Sequence, residues 1–113
     1  MKDDWSRNLS ENWTPVREAS AIELDSVVRW DVDGRTYAVF RSENDEVFVT
    51  DNICTHEHAY LSDGYFEGTV VECPRHAGRF DVRSGAPLGA PVCVALKTYP
   101  TKIEDGMIFA DLS

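Results

Sequence analysis

Basic residues are scarce in this chain: Lys and Arg total 11 against 20 Asp and Glu, for a formal net charge of −9. A polyanion of this kind repels nucleic acid and anionic lipid, so neither is expected as a partner; a docking partner should present a basic protein surface. No apolar run approaches the roughly 20 residues needed to span a bilayer. The opening Met1-Lys2-Asp3-Asp4-Trp5-Ser6 also lacks the apolar stretch of a signal peptide, which points to the cytoplasm. Cysteine is sparse and odd in number, Cys54, Cys73 and Cys93. In a reducing compartment that count favours metal ligands or buried thiols over a disulfide framework. Length excludes more: 113 residues accommodate one ordinary core, not a nucleotide-binding half beside a substrate half. Helical periodicity is missing too, since no segment keeps a 3.6-residue apolar repeat long enough for a substantial helix.

What remains is β structure. Val27 to Val32 leads through Asp33-Gly34, a two-residue hairpin signal, into Arg35 to Arg41, whose Thr36-Tyr37-Ala38-Val39-Phe40 is strongly β-prone. A polar turn from Ser42 to Asp45 precedes Glu46-Val47-Phe48-Val49-Thr50. Lys102-Ile103-Glu104, Asp105-Gly106 and Met107-Ile108-Phe109-Ala110 read as a second hairpin. The fold class is therefore all-β and antiparallel. Residues 1–12 are polar and aperiodic, which predicts a flexible arm ahead of a single domain over 13–113. The middle differs, because residues 52–91 hold Cys54, Cys73 and all three histidines, with most of the glycine and proline. Short strands fit there at Tyr65 to Gly68, Val70 to Glu72 and Arg79 to Val82. They predict a small loop-rich subdomain, at about 45–86, inserted between strands of the β base.

That middle carries the chemistry. Cys54-Thr55-His56 is Cys-x-His and Cys73-Pro74-Arg75-His76 is Cys-x-x-His, with sixteen residues between His56 and Cys73. The turn residues Asp63-Gly64 are expected to fold that stretch back as a hairpin, so that two loops, each offering one thiolate and one imidazole, face each other. Tetrahedral zinc is one occupant, although structural zinc sites usually take a cysteine pair from one knuckle and a histidine pair from elsewhere. One Cys and one His per loop suit two metals side by side. In a [2Fe–2S] rhomb, Cys54 and Cys73 would hold one iron and His56 and His76 the other, the Rieske arrangement. Without a metal, the same residues would be two buried thiols and two surface histidines.

Cys54-Thr-His56-Glu-His-Ala-Tyr-Leu-Ser-Asp-Gly64 with Glu72-Cys73-Pro-Arg-His76-Ala-Gly78-Arg-Phe-Asp-Val-Arg-Ser-Gly85 resembles the small Rieske ferredoxins of bacterial multicomponent aromatic-ring dioxygenases. The similarity extends to Leu96-Lys-Thr-Tyr99 and Glu104-Asp-Gly106. It implies a Rieske fold, one [2Fe–2S] cluster on Cys54, His56, Cys73 and His76, and no catalysis of its own. It further implies single-electron transfer from an NAD(P)H-dependent flavin ferredoxin reductase to a terminal oxygenase. Respiratory Rieske proteins carry an extra cysteine in each loop, and a serine and a tyrosine hydroxyl near the cluster. The matching positions here are Ala59, Arg75, Gly78 and Phe80, which excludes the bridge. Without those hydroxyls the potential is expected near the lower end of the Rieske range, about −150 mV. Two further readings are the Rieske-type small subunit of an assimilatory nitrite reductase and a zinc-stabilised interaction module.

Other residues take plainer roles. His58 is expected to be a surface histidine rather than a ligand, and Cys93, in the β-like Pro91-Val92-Cys93-Val94-Ala95, a small buried hydrophobe. Pro74 and Gly78 should shape the second loop, Gly78 by allowing close backbone approach. Trp30 is assigned to the β base, and Tyr60, Tyr65, Phe66 and Phe80 to a small core below the cluster. Charge is uneven: Glu43, Asp45, Glu46, Asp51, Glu57, Asp63, Glu67 and Glu72 lie between Ser42 and Pro74 with no Lys or Arg. Arg75, Arg79 and Arg83 follow, with only Asp81 opposing them in sequence, an asymmetry suited to orienting the protein toward a partner.

Overall fold

Asp33-Gly34 and Asp105-Gly106 turn where the sequence places them. Asp33 and Gly34 have φ of 52° and 78°, and Asp105 and Gly106 of 53° and 82°. Two consecutive left-handed residues are the requirement of a type I′ turn, whose twist matches the flanking strands. In the computed structural model these turns organise residues 12–55, 58–75, 78–89 and 94–113, the residues described below. His56, Glu57, His76, Cys93 and nearly all of the expected arm lie outside them.

Three antiparallel sheets result. Strands β2 (Ser26–Val32), β3 (Arg35–Arg41), β4 (Val47–Asp51) and β8 (Thr98–Tyr99) form a sheet in the order β2-β3-β4-β8. A second sheet is β1-β10-β9, from β1 (Trp13–Glu18), β9 (Thr101–Glu104) and β10 (Met107–Asp111). The third, β5-β6-β7, joins β5 (Tyr65–Glu67), β6 (Val70–Glu72) and β7 (Arg79–Asp81), all falling in sequence between β4 and β8. β1 escapes a reading by alternation because its register shifts between Pro15 and Arg17, a bulge beside a residue without an N–H. β8 is two residues long, too short for any pattern.

β3 explains how the layers stack. Its residues Tyr37, Ala38, Val39 and Phe40 are all buried, because both faces of the strand are covered. Tyr37 and Val39 join Trp30, Val47, Val49, Tyr99, Ile108 and Ala110 in one core, which bonds the four-stranded sheet to the β1-β10-β9 sheet. Ala38 and Phe40 point the other way, into a second core with Leu61, Phe66, Val71, Phe80, Val82 and Leu96. That second core also holds Cys54 and Cys73. Trp30 is 9% exposed and stacks at 5.3 Å on Tyr37, in the base as expected. No helix among the described residues is long and apolar enough to cross a membrane.

The third sheet is held down by polar contacts as well. Arg83 reaches Glu46 at 2.8 Å and its guanidinium lies 5.6 Å from the Phe48 ring centroid. Its expected place in a free basic group is thus corrected: Arg83 spends its charge on β-base residues, and Asp81 accepts its backbone N–H at 2.9 Å. Asp63-Gly64 is a second correction. The pair ends a 3₁₀ turn at Leu61–Asp63, while the chain reverses later, at Gly68 (φ 66°) between β5 and β6. Gly64 serves a different purpose, since a Cβ there would overlap the Glu72 carbonyl oxygen.

Candidate metal centre

Two loops of equal length rise from the second core. In the first, Ile53 bridges Tyr60, and the Cys54 N–H donates to the Ala59 carbonyl at 2.9 Å. In the second, Glu72 pairs with Arg79, and the Cys73 N–H donates to the Gly78 carbonyl at 2.7 Å. Each loop therefore opens on a cysteine and closes on the carbonyl five residues later. The two cysteine side chains are 4% and 1% exposed, packed among aliphatic and aromatic neighbours. His58 is exposed, in keeping with a surface histidine.

The chemistry of these donors fits a cluster with mixed ligation. Two cysteine thiols sit in the apolar floor of matching loops, and between cysteine and closing carbonyl the sequence places His56 and His58 in the first loop and His76 in the second. Matching loops favour one donor set split evenly between them, which a Cys-pair zinc knuckle would not require.

A set of bonds that sequence reasoning missed fixes the first loop. Asn52 is fully buried. Its side-chain amide donates to the Thr36 hydroxyl oxygen at 3.0 Å, and its Oδ1 accepts the Ser62 N–H at 2.8 Å. Its backbone N–H donates to the Thr36 carbonyl at 3.3 Å, and its carbonyl accepts the Leu61 N–H at 2.7 Å. One side chain thus ties β3, the root of the loop and the 3₁₀ turn beyond it. Within Thr50-Asp51-Asn52-Ile53 nothing in the pattern separates this asparagine from an ordinary turn residue. Asn52→Leu keeps the bulk and strands a buried Ser62 N–H, a loss of about 1–3 kcal/mol on the usual cost of an unmade bond. Urea unfolding should show a lower midpoint at unchanged slope.

The segment after residue 93 ties the first loop to the turn that follows β7. The Thr55 hydroxyl donates to the Val94 carbonyl at 2.8 Å, and the Leu96 N–H donates to the Gly85 carbonyl at 2.8 Å. Beside the first loop, Arg29 forms a two-oxygen contact with Asp31 at 3.0 Å and lies 4.4 Å from the Tyr60 ring centroid. A hydrogen bond from Thr36, then the Arg29 guanidinium, holds the Asp31 carboxyl below its ordinary value, and the bond to Asp31 raises Arg29. Tyr99 donates to Asp51 Oδ1 at 2.6 Å. Burial, reinforced by that bond, pushes its phenol well above the usual range, so it remains a donor at any ordinary pH.

A profile of the Rieske [2Fe-2S] domain matches residues 12–100. The chain belongs to the Rieske [2Fe–2S] domain family. The Rieske fold and a single Rieske-type [2Fe–2S] cluster follow for this protein. Among curated relatives, the ferredoxin component of the naphthalene 1,2-dioxygenase system of Pseudomonas putida is 45% identical over 103 residues, 87% of this chain and 98% of that protein. A solved structure titled as the complex of reduced oxygenase and oxidized ferredoxin in carbazole 1,9a-dioxygenase contains a chain that superposes with TM-score 0.83. The two are 31% identical, covering 90% of this chain and 94% of the other. The putative NADH-dependent nitrite reductase small subunit of Mycobacterium tuberculosis superposes at TM-score 0.77 with 23% identity, over 87% and 92% of the two chains, a likeness of fold alone.

Within this Rieske domain the aromatic residues assigned to the small core divide. Phe80 is fully buried and Phe66 nearly so, in contact with Phe40 at 4.9 Å between ring centroids. Tyr60 and Tyr65 are 39% and 70% exposed, which corrects their assignment to that core. Both sit where alternation turns them outward: Tyr65 and Glu67 flank the inward Phe66 on β5, and Tyr60 immediately precedes the buried Leu61.

Proposed function

We propose that this chain is the Rieske ferredoxin component of an aromatic-ring dioxygenase system. In that role it carries single electrons in the cytoplasm from an NAD(P)H-dependent flavin reductase to a terminal oxygenase. The observation that carries this reading is the full-length correspondence with a protein named as a ferredoxin component, 98% of which is matched at 45% identity. A nitrite reductase small subunit shares only the architecture. Cys54, His56, Cys73 and His76 are the proposed ligands, supported by the two cysteine loops of equal length and closure. When bound, the cluster accepts and gives up one electron at a time. The chain's own contribution is to bury both proposed sulfur ligands in the second core and to pin the first loop through Asn52 and Val94. Arg75 and Arg79, both exposed on or beside the second loop, remain available to orient a partner now that Arg83 is engaged elsewhere.

The test is composition followed by reconstitution. Anaerobically purified protein should hold two irons and two acid-labile sulfides per chain, the content of one [2Fe–2S] cluster. Mixed with its reductase, NADH and terminal oxygenase, it should be required for dihydroxylation of an aromatic substrate. One zinc without sulfide, or support of nitrite reduction in place of ring hydroxylation, would overturn the reading.

A further inference from the structure

A cleft of about 550 Å³ opens where the turn preceding β2 meets the 3₁₀ turn and β5, with Asp25, Ser26, Ser62, Gly64, Tyr65 and Glu67 among its lining. Tyr65 stands 70% exposed at this cleft. Asp25 and Glu67 are exposed, and neither makes an ion pair among the described residues. Among the described residues, Arg29 is paired with Asp31, Arg41 with Asp45 and Arg83 with Glu46. Among the described residues, no basic side chain lines the cleft. Its floor is fixed: the Ser62 N–H is held by Asn52, the Gly64 N–H donates to the Leu61 carbonyl at 2.9 Å, and Gly64 rests against the Glu72 carbonyl. Glu72 is the residue before Cys73.

We propose that this cleft receives an arginine side chain from the surface of a redox partner, giving the ferredoxin a docking point on its flank. This set of acceptors is the complement of a guanidinium. A planar, weakly hydrated cation stacks on a tyrosine ring, and its fork of N–H donors fits carboxylates on either side. A net charge of −9 draws basic surfaces toward the molecule, and two exposed carboxylates with no ion-pair partner among the described residues provide a defined place for that attraction to end. A partner seated there would lie against the peptide that leads into Cys73. The inference rests on the electron-carrier reading only for the partner's identity.

The decisive experiment compares Asp25→Asn/Glu67→Gln with Asp33→Asn/Asp105→Asn, which removes the same charge from the two distant hairpin turns. Second-order electron-transfer rates are measured by stopped flow with the flavin reductase and with the terminal oxygenase across ionic strength. The cleft variant should slow transfer with one of these partners by about tenfold and flatten its salt slope, while the control variant stays near wild type. Tyr65→Ser should reproduce part of the loss and Tyr65→Phe should restore it. Reduction by dithionite and the midpoint potential should be the same in all variants. Wild-type rates and slopes in the cleft variant with both partners, or equal losses in the control, would overturn the docking point. If the wild type exchanges electrons with neither protein, the carrier reading fails by itself. The cleft is then judged by chemical-shift changes on titration with N-acetyl-arginine amide against N-acetyl-citrulline amide. Shifts at residues 25–27 and 62–67 with the arginine compound alone support it, and their absence overturns it.

Discussion

His56→Ala and His76→Ala should each abolish stable cluster assembly, leaving protein with little iron or labile sulfide, whereas His58→Ala should assemble normally. The expectation follows from the proposed ligand set, in which His56 pairs with Cys54 and His76 with Cys73. Each loop runs from a buried cysteine to a carbonyl five residues on, and in sequence His56 follows its cysteine by two positions and His76 by three. His58 sits immediately before Ala59, the residue whose carbonyl closes the first loop, and is exposed. A cysteine series sharpens the test. Imidazole is neutral where thiolate is anionic, so replacing both imidazoles adds two negative charges beside the metals. His56→Cys/His76→Cys, where it assembles, should move the potential from about −150 mV toward the roughly −400 mV of all-cysteine clusters. Reduced wild-type protein should show the low average g of imidazole ligation, and the double variant should not. Full iron content in either alanine variant would remove that histidine from the ligand set.

The legible parts of this structure were those in which one residue type does one job. Asp33-Gly34 and Asp105-Gly106 declare their turns because only a few residues tolerate two successive left-handed positions. The run Thr36 to Phe40 declares a strand, and its lack of alternation declares that both faces are covered. Cys54 and Cys73 declare a site through spacing. Other features are written in contacts between distant segments and leave no local mark. β1 hides behind its bulge and Pro15. Asn52 resembles a turn residue until Thr36 and Ser62 are brought to it. Tyr65 and Phe66 are both large β-prone aromatics, and the pleat of a three-residue strand decides which of them faces water. Asp63-Gly64 carries the same dipeptide as the real hairpin turns, but its glycine answers to steric closeness. Gly64 has φ −92°, ordinary for any L-residue.

That distinction predicts a large and separable effect. Gly64→Ala should destabilise the protein by about 3 kcal/mol or more, at the upper end of the cost of forcing extra atoms into a packed site. Gly106→Ala should cost about 1–2 kcal/mol, the usual penalty of a left-handed L-residue. The reasons differ. At Gly106 a Cβ would meet nothing within 4 Å, and only its φ of 82° objects. At Gly64 the backbone raises no objection, but the Cβ would overlap the Glu72 carbonyl oxygen and crowd the Leu61 carbonyl. Both neighbours are backbone, so neither yields by rotating a side chain. Glu72 is held by its pairing with Tyr65 and Arg79, and relief must shift the strand that delivers Cys73. Thermal unfolding should therefore place Gly64→Ala well below Gly106→Ala, since each 1 kcal/mol is worth roughly 4 °C or more in a domain of this size. Cluster content should fall with it, whereas Gly106→Ala, on the far β9–β10 turn, should retain full iron. Equal losses of stability would mean that the strand ahead of Cys73 gives way easily. Full iron in a strongly destabilised Gly64→Ala would mean that the second loop holds its geometry independently of the sheet beneath it.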